Sequence, residues 1–250
     1  MNISKLRRFK IKRLLILSGV AFLLMVGAAQ AVPITFTGSS GSLAASVTFD
    51  VSGSNLIVTL TNTSTADPSV PGDILSGVFF SIPTNPSLGK VLAVLASGSS
   101  IIHGPMPATD PGGVVGGEWA YTNSDTNGLE AIYSSGYYNG NARFPGSNLQ
   151  GPTSVDGIQY GITTSYDLPA NDNGGLQGRG LINNSVVFTL SGLLTGFDLS
   201  EIGDVRFRYG TCIDEPHFPG GHTQVPEPCT ILLLGAGLAG VGLLRRRFKK

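Results

Sequence analysis

The sequence predicts an all-β fold, a two-sheet β-sandwich in which each strand has one apolar face to bury. Polar and apolar residues alternate repeatedly at a period of two, and no stretch of the middle of the chain holds a helical period for ten residues. Between Gly98 and Gly180, 17 of 83 residues are glycine, which argues for short strands and many turns rather than helix. A jelly roll or a β-solenoid is the alternative all-β arrangement. No internal repeat at a fixed period is present.

The elements follow in order. In Ser46 to Val51, Val47, Phe49 and Val51 share one face, opposite Ser46, Thr48 and Asp50. Ser52, Gly53 and Ser54 supply a turn, and Asn55 to Thr61 returns with Leu56, Val58 and Leu60 on one side. Gly77 to Ile82, Val91 to Leu95 and Ser185 to Leu190 read as further strands. Val205, Phe207 and Tyr209 alternate with Arg206 and Arg208 in another, and Phe197 to Ile202 suits a single helical turn. The β-rich domain is expected to span 32–213. Residues 214–225, rich in Pro, Gly and His, read as a linker.

Both ends of the chain differ from this middle. Lys5, Arg7, Arg8, Lys10, Lys12 and Arg13 precede an apolar run from Leu14 to Ala29, and Ala29-Gln30-Ala31 offers small residues at the two positions a signal peptidase reads. Residues 1–31 therefore read as a secretory signal peptide, with Val32 starting the mature chain. An uncleaved N-terminal anchor is the competing reading.

At the other end, Pro226-Glu227-Pro228 is followed by an apolar run from Cys229 to Leu244. Arg245, Arg246, Arg247, Phe248, Lys249 and Lys250 then close the chain. Helical residues rising ~1.5 Å each would carry this run only about 24 Å, short of a ~30 Å hydrocarbon core. The terminal cations hold that end in the cytoplasm and place the preceding domain outside. This C-terminus, 226–250, resembles the PEP-CTERM sorting signal of Gram-negative bacteria. The resemblance implies export across the inner membrane, a transient transmembrane helix, and recognition of Pro226, Glu227 and Pro228 by an exosortase. It also implies delivery to the cell surface or to an exopolysaccharide matrix. Cys229 departs from the small residue common there, and an ordinary uncleaved anchor is the competing reading. Gly235, Gly237 and Gly240 match a dinucleotide fingerprint, but no strand precedes them and only ten residues follow.

The 16 basic and 16 acidic residues of the chain cancel, but eleven of the bases lie in the two end segments. The stretch from Val32 to Leu244 then sets five bases against all sixteen acids, a net charge of −11. That balance excludes nucleic acid as a partner.

Candidate sites in the domain are few. Asp125, Asn127 and Glu130, and separately Asp172 between Asn171 and Asn173, have the oxygen-rich, glycine-bent character calcium favours, with turn formation as the competing reading. No other cofactor is expected. Cys212, Asp214, Glu215, His217 and His222 bunch together at no recognisable metal spacing and read as solvated residues. His103 is expected in a loop, and Cys212 as a lone thiol. No nucleophile elbow, zinc-protease motif or Cys-x-x-Cys occurs. Trp119, Tyr121, Tyr133, Tyr137 and Tyr138 form an aromatic patch that would stack on sugar rings, with core packing as the rival for Trp119. Glu118 and Glu130 flank it in the manner of a glycosidase pair. The expectation is a non-enzymatic exported surface or matrix protein. Its partners are signal peptidase, exosortase, transiently the inner membrane, and exopolysaccharide; the alternatives are a carbohydrate-binding module and a secreted hydrolase.

Overall fold

The computed structural model of the chain describes residues 32–84, 86–103, 113–124, 128–134, 147–149, 160–167, 174–176, 178, 180–211, 215 and 217–223. It is all-β, in two sheets. Among the described residues there is no α-helix, and four short 3-10 turns include Leu199–Glu201 at the site expected for a helical turn.

The first sheet has six strands. Ile34–Ser40 (β1), Leu43–Ser52 (β2) and Asn55–Asn62 (β3) run as an antiparallel meander, and Ser185–Ser191 (β12) joins β3 to the edge strand Gly89–Leu95 (β5). Gly221–Thr223 (β15) pairs with the free side of β1. The β2–β3 hairpin closes through Gly53 and Ser54, with Gly53 at φ 62°. That is the left-handed region where glycine carries no Cβ penalty. The predicted alternation holds: Val47, Phe49, Leu56, Val58 and Leu60 are fully buried on one face.

The second sheet is built around Leu75–Ser81 (β4), which pairs with Glu130–Tyr133 (β8), Ile162–Thr163 (β10) and Gly203–Tyr209 (β13). Ala120–Thr122 (β7) and Ser147–Asn148 (β9) extend it beyond β8, and Leu181–Asn183 (β11) and Ile101–Ile102 (β6) beyond β10. His217–Pro219 (β14) pairs with β13. Leu75 to Phe80 are all buried, so β4 is covered on both faces. Val78 and Phe80 face the main core, while Phe79 joins Ala120, Leu129, Ala131 and Tyr133 in a smaller cluster on the other side.

Aromatic contacts fill the space between the sheets. Phe49 of β2 meets Phe80 of β4 at 5.0 Å, and Trp119 meets Phe188 of β12 at 4.8 Å, both edge-on as ring quadrupoles favour. Polar ties cross as well: Tyr209 of β13 donates to the Ala44 carbonyl at 2.8 Å, and Asn62 of β3 donates to the Ile162 carbonyl at 2.9 Å. All described ladders are antiparallel except β10 with β11, which does not fit the parallel coils of a β-solenoid.

Two of the passages between the sheets are made by a single residue. Asn184, at φ 76°, turns β11 of the second sheet into β12 of the first. Asn tolerates that conformation better than other side-chain-bearing residues. Gly220 turns β14 of the second sheet into β15 of the first. A Cβ there would lie 3.0 Å from both Phe207 and Val205, so only glycine fits without displacing them.

One expectation is corrected. Residues 217–223 are not linker but two paired strands, with Phe218 buried against Phe207 and Tyr209. Arg208 lies on the face opposite Val205, Phe207 and Tyr209, as the alternation predicts, but that face is covered too: Arg208 is 2% exposed, while Arg206 stays exposed.

Candidate functional site

Of the predicted aromatic and acidic residues, Tyr121 and Glu130 meet, and they do so inside the protein. In the β7–β8 ladder Tyr121 lies opposite Ile132, so Glu130 is its diagonal neighbour on the same face. That face, with Val78, Phe80 and Ile132, points into the main core. The Tyr121 phenol donates to Oε2 of Glu130, and Oε1 has no partner among the described residues. Burial pushes the Glu130 carboxyl up to about 7, against the bond from Tyr121, which pulls it down. Burial first, then the bond to Glu130 and its charge, drives the Tyr121 phenol far above its ordinary range.

Glu118 ends the 3-10 turn Gly116–Glu118 and has no exposed surface. Its charge adds to burial in pushing the Tyr160 phenol up to about 12. Trp119 is wholly buried, Tyr121 is 3% exposed, and Tyr133, 4% exposed, stacks on Phe79. The sugar-stacking platform is therefore corrected at these three positions, because stacking needs a ring face open to solvent. Tyr137 and Tyr138 lie outside the described residues. Glu118 and Glu130 likewise sit in the core rather than across an open cleft.

The calcium candidates divide the same way. Glu130 begins strand β8 rather than closing a loop, and its carboxyl turns inward. Asp125, Asn127 and Asp172 lie outside the described residues, as do Cys212 and Asp214. Among the described residues, no three His, Cys, Asp or Glu side chains gather where they would hold a metal ion.

A second polar cluster escaped the sequence reading. His103 lies in a bend just after β6, as expected, but is buried: its Nε2 lies 2.9 Å from Oδ1 of Asp167, and both side chains are 1% exposed. Thr163 donates to Asp167 Oδ2 at 2.6 Å, and His103 holds a left-handed φ of 58°. Its Nδ1 has no partner among the described residues. Nothing in the spacing of residues 103, 163 and 167 signals this pairing; the parallel β10–β11 ladder and the β6–β11 ladder create it.

The sorting residues Pro226, Glu227 and Pro228, the basic stop Arg245, Arg246, Arg247, Lys249 and Lys250, and the cleavage-site residues Ala29 and Ala31 lie outside the described residues. Val32 is described and exposed. No helix among the described residues is long and apolar enough to cross a membrane. The last residue described, Thr223, is held opposite Thr35 in the β1–β15 ladder.

The residue that follows Thr223 begins a recognised segment. Residues 224–247 match the PEP-CTERM protein-sorting motif. The match covers Pro226-Glu227-Pro228, the apolar run and the three arginines. A PEP-CTERM motif supports an exported protein sorted by an exosortase, with a transient C-terminal membrane anchor. No curated protein and no solved structure matches the chain.

Proposed function

We propose that the chain is an exported, non-enzymatic protein of the cell surface or extracellular matrix of a Gram-negative bacterium, carried as a β-sandwich domain. A signal peptidase releases it at Val32, and an exosortase recognises Pro226-Glu227-Pro228 and removes the tail. The match over residues 224–247 carries this reading. The basic stop keeps the tail in the cytoplasm until the cut. The domain's strongly acidic balance suits a soluble life outside the cell, with exopolysaccharide as the expected surroundings rather than nucleic acid. Burial of Trp119, Tyr121, Tyr133, Glu118 and Glu130 favours a structural role over both a carbohydrate-binding module and a glycosidase, since none of these side chains reaches solvent.

Changing Pro226, Glu227 and Pro228 together to alanine tests the reading by fractionation. The variant should remain with the inner membrane while the wild-type protein leaves it. Equal release of both would overturn the sorting assignment.

A further inference from the structure

In sequence, the two processing points of the proposed pathway lie within three residues of a facing pair at one edge of one sheet. β1 and β15 are antiparallel, with Thr35 opposite Thr223, Phe36 opposite His222 and Thr37 opposite Gly221. Val32 precedes Thr35 by three residues, and Pro226 follows Thr223 by three. A chain reaches at most ~3.6 Å per residue, so each point lies within about 11 Å of the Thr35–Thr223 pair.

That closeness conflicts with cleavage of the folded domain. A peptidase holds several substrate residues extended on either side of the bond it cuts, much as a strand is added to a sheet. With β15 paired, only Gln224 and Val225 separate the folded sheet from Pro226. The ladder that would have to yield is slight. β15 has three residues, follows Gly220, begins with Gly221, and lies at the end of the strand order with its other side unpaired among the described strands. Short edge strands are the parts of a sheet that open most readily.

We propose that this edge of the six-stranded sheet is the surface the domain turns towards the exosortase, and that β15 leaves β1 before the enzyme cuts. The ladder thus meters release of the anchor. Opening frees the residues of β15 to serve as extended substrate upstream of Pro226, and after the cut β15 returns to β1. This rests on the sorting function proposed above.

The test follows tail removal from the full-length chain over time in an exosortase-bearing host. Four forms are compared: wild type, the double variant Thr35→Cys/Thr223→Cys, an insertion of eight Gly and Ser residues between Thr223 and Gln224, and both changes combined. Facing positions of an antiparallel ladder are ~4.5–5.5 Å apart, within disulfide range. The double variant should lose its tail on the order of tenfold more slowly, because the open fraction of the ladder sets the rate. The insertion should be cut at least as fast as wild type and should restore cutting when combined with the double variant. Cutting of the double variant at the wild-type rate would overturn the proposal. So would slow cutting that the insertion fails to rescue. Failure of the wild-type chain itself to lose its tail would instead refute the sorting function.

Discussion

The Tyr121 phenol donates a hydrogen bond to Oε2 of Glu130 inside the core, and Oε1 has no hydrogen-bond partner among the described residues. The Glu130 carboxyl, pushed up to about 7 from 4.5, binds its proton more tightly in the folded state than in the unfolded chain. Its contribution to stability is therefore fully present below about pH 4.5 and is lost as pH rises through about 7. Melting temperature should fall across that window in the processed protein. Glu130→Gln keeps an acceptor for Tyr121 but has no charge to bury, so its profile should be flatter and its stability at pH 8 higher than wild type. Parallel profiles for the two proteins would exclude this assignment.

Trp119 gives a direct optical test of its burial, since it is the only tryptophan in the chain. With no exposed surface and Phe188 at 4.8 Å, it should emit at short wavelength and resist quenching by acrylamide. Its spectrum should not respond to matrix polysaccharides. A glycan-dependent change would revive the carbohydrate-binding alternative.

Tyr209→Phe removes the phenolic bond to the Ala44 carbonyl, one of the ties between the sheets. The Ala44 carbonyl keeps its bonds from the Thr63 N–H and the Ser64 hydroxyl, so only the net worth of one hydrogen bond is lost, about 0.5–1.5 kcal/mol. The urea midpoint should drop accordingly with an unchanged slope. A midpoint within error of wild type would mean that this bond adds nothing to the hold between the sheets.

Asp167→Ala leaves His103 and Thr163 without their buried partner, and a buried polar group left unsatisfied costs about 1–3 kcal/mol. Adding His103→Ala should recover part of that loss in a double-mutant cycle. Strict additivity of the two changes would show that the 2.9 Å approach carries no coupling.

The long strands were legible because their apolar faces repeat over many residues. Leu43–Ser52 and Asn55–Asn62 alternate throughout, and Gly53 marks the turn between them. His217–Pro219 and Gly221–Thr223 were not, because three residues are too few to show a period and Pro219 and Gly220 signal a break. Pro219 is tolerated because β14, among the described strands, pairs on one side only, with β13. Glu130 and Arg208 illustrate a second limit. Alternation states which residues share a face, but a strand covered on both faces buries charged residues too. The sorting signal was readable from sequence because its three parts are contiguous. The His103–Asp167 pair was not, since the partners meet only through the ladders that join β6, β11 and β10.

The most direct test of the sorting function is the intact mass of the protein from surface and medium fractions, in hosts with and without exosortase. A product that begins at Val32 and ends between Pro226 and Pro228, absent when the exosortase is removed, is the predicted result. A product that keeps Arg245 to Lys250 and stays in the inner membrane would contradict it and leave a permanently anchored domain.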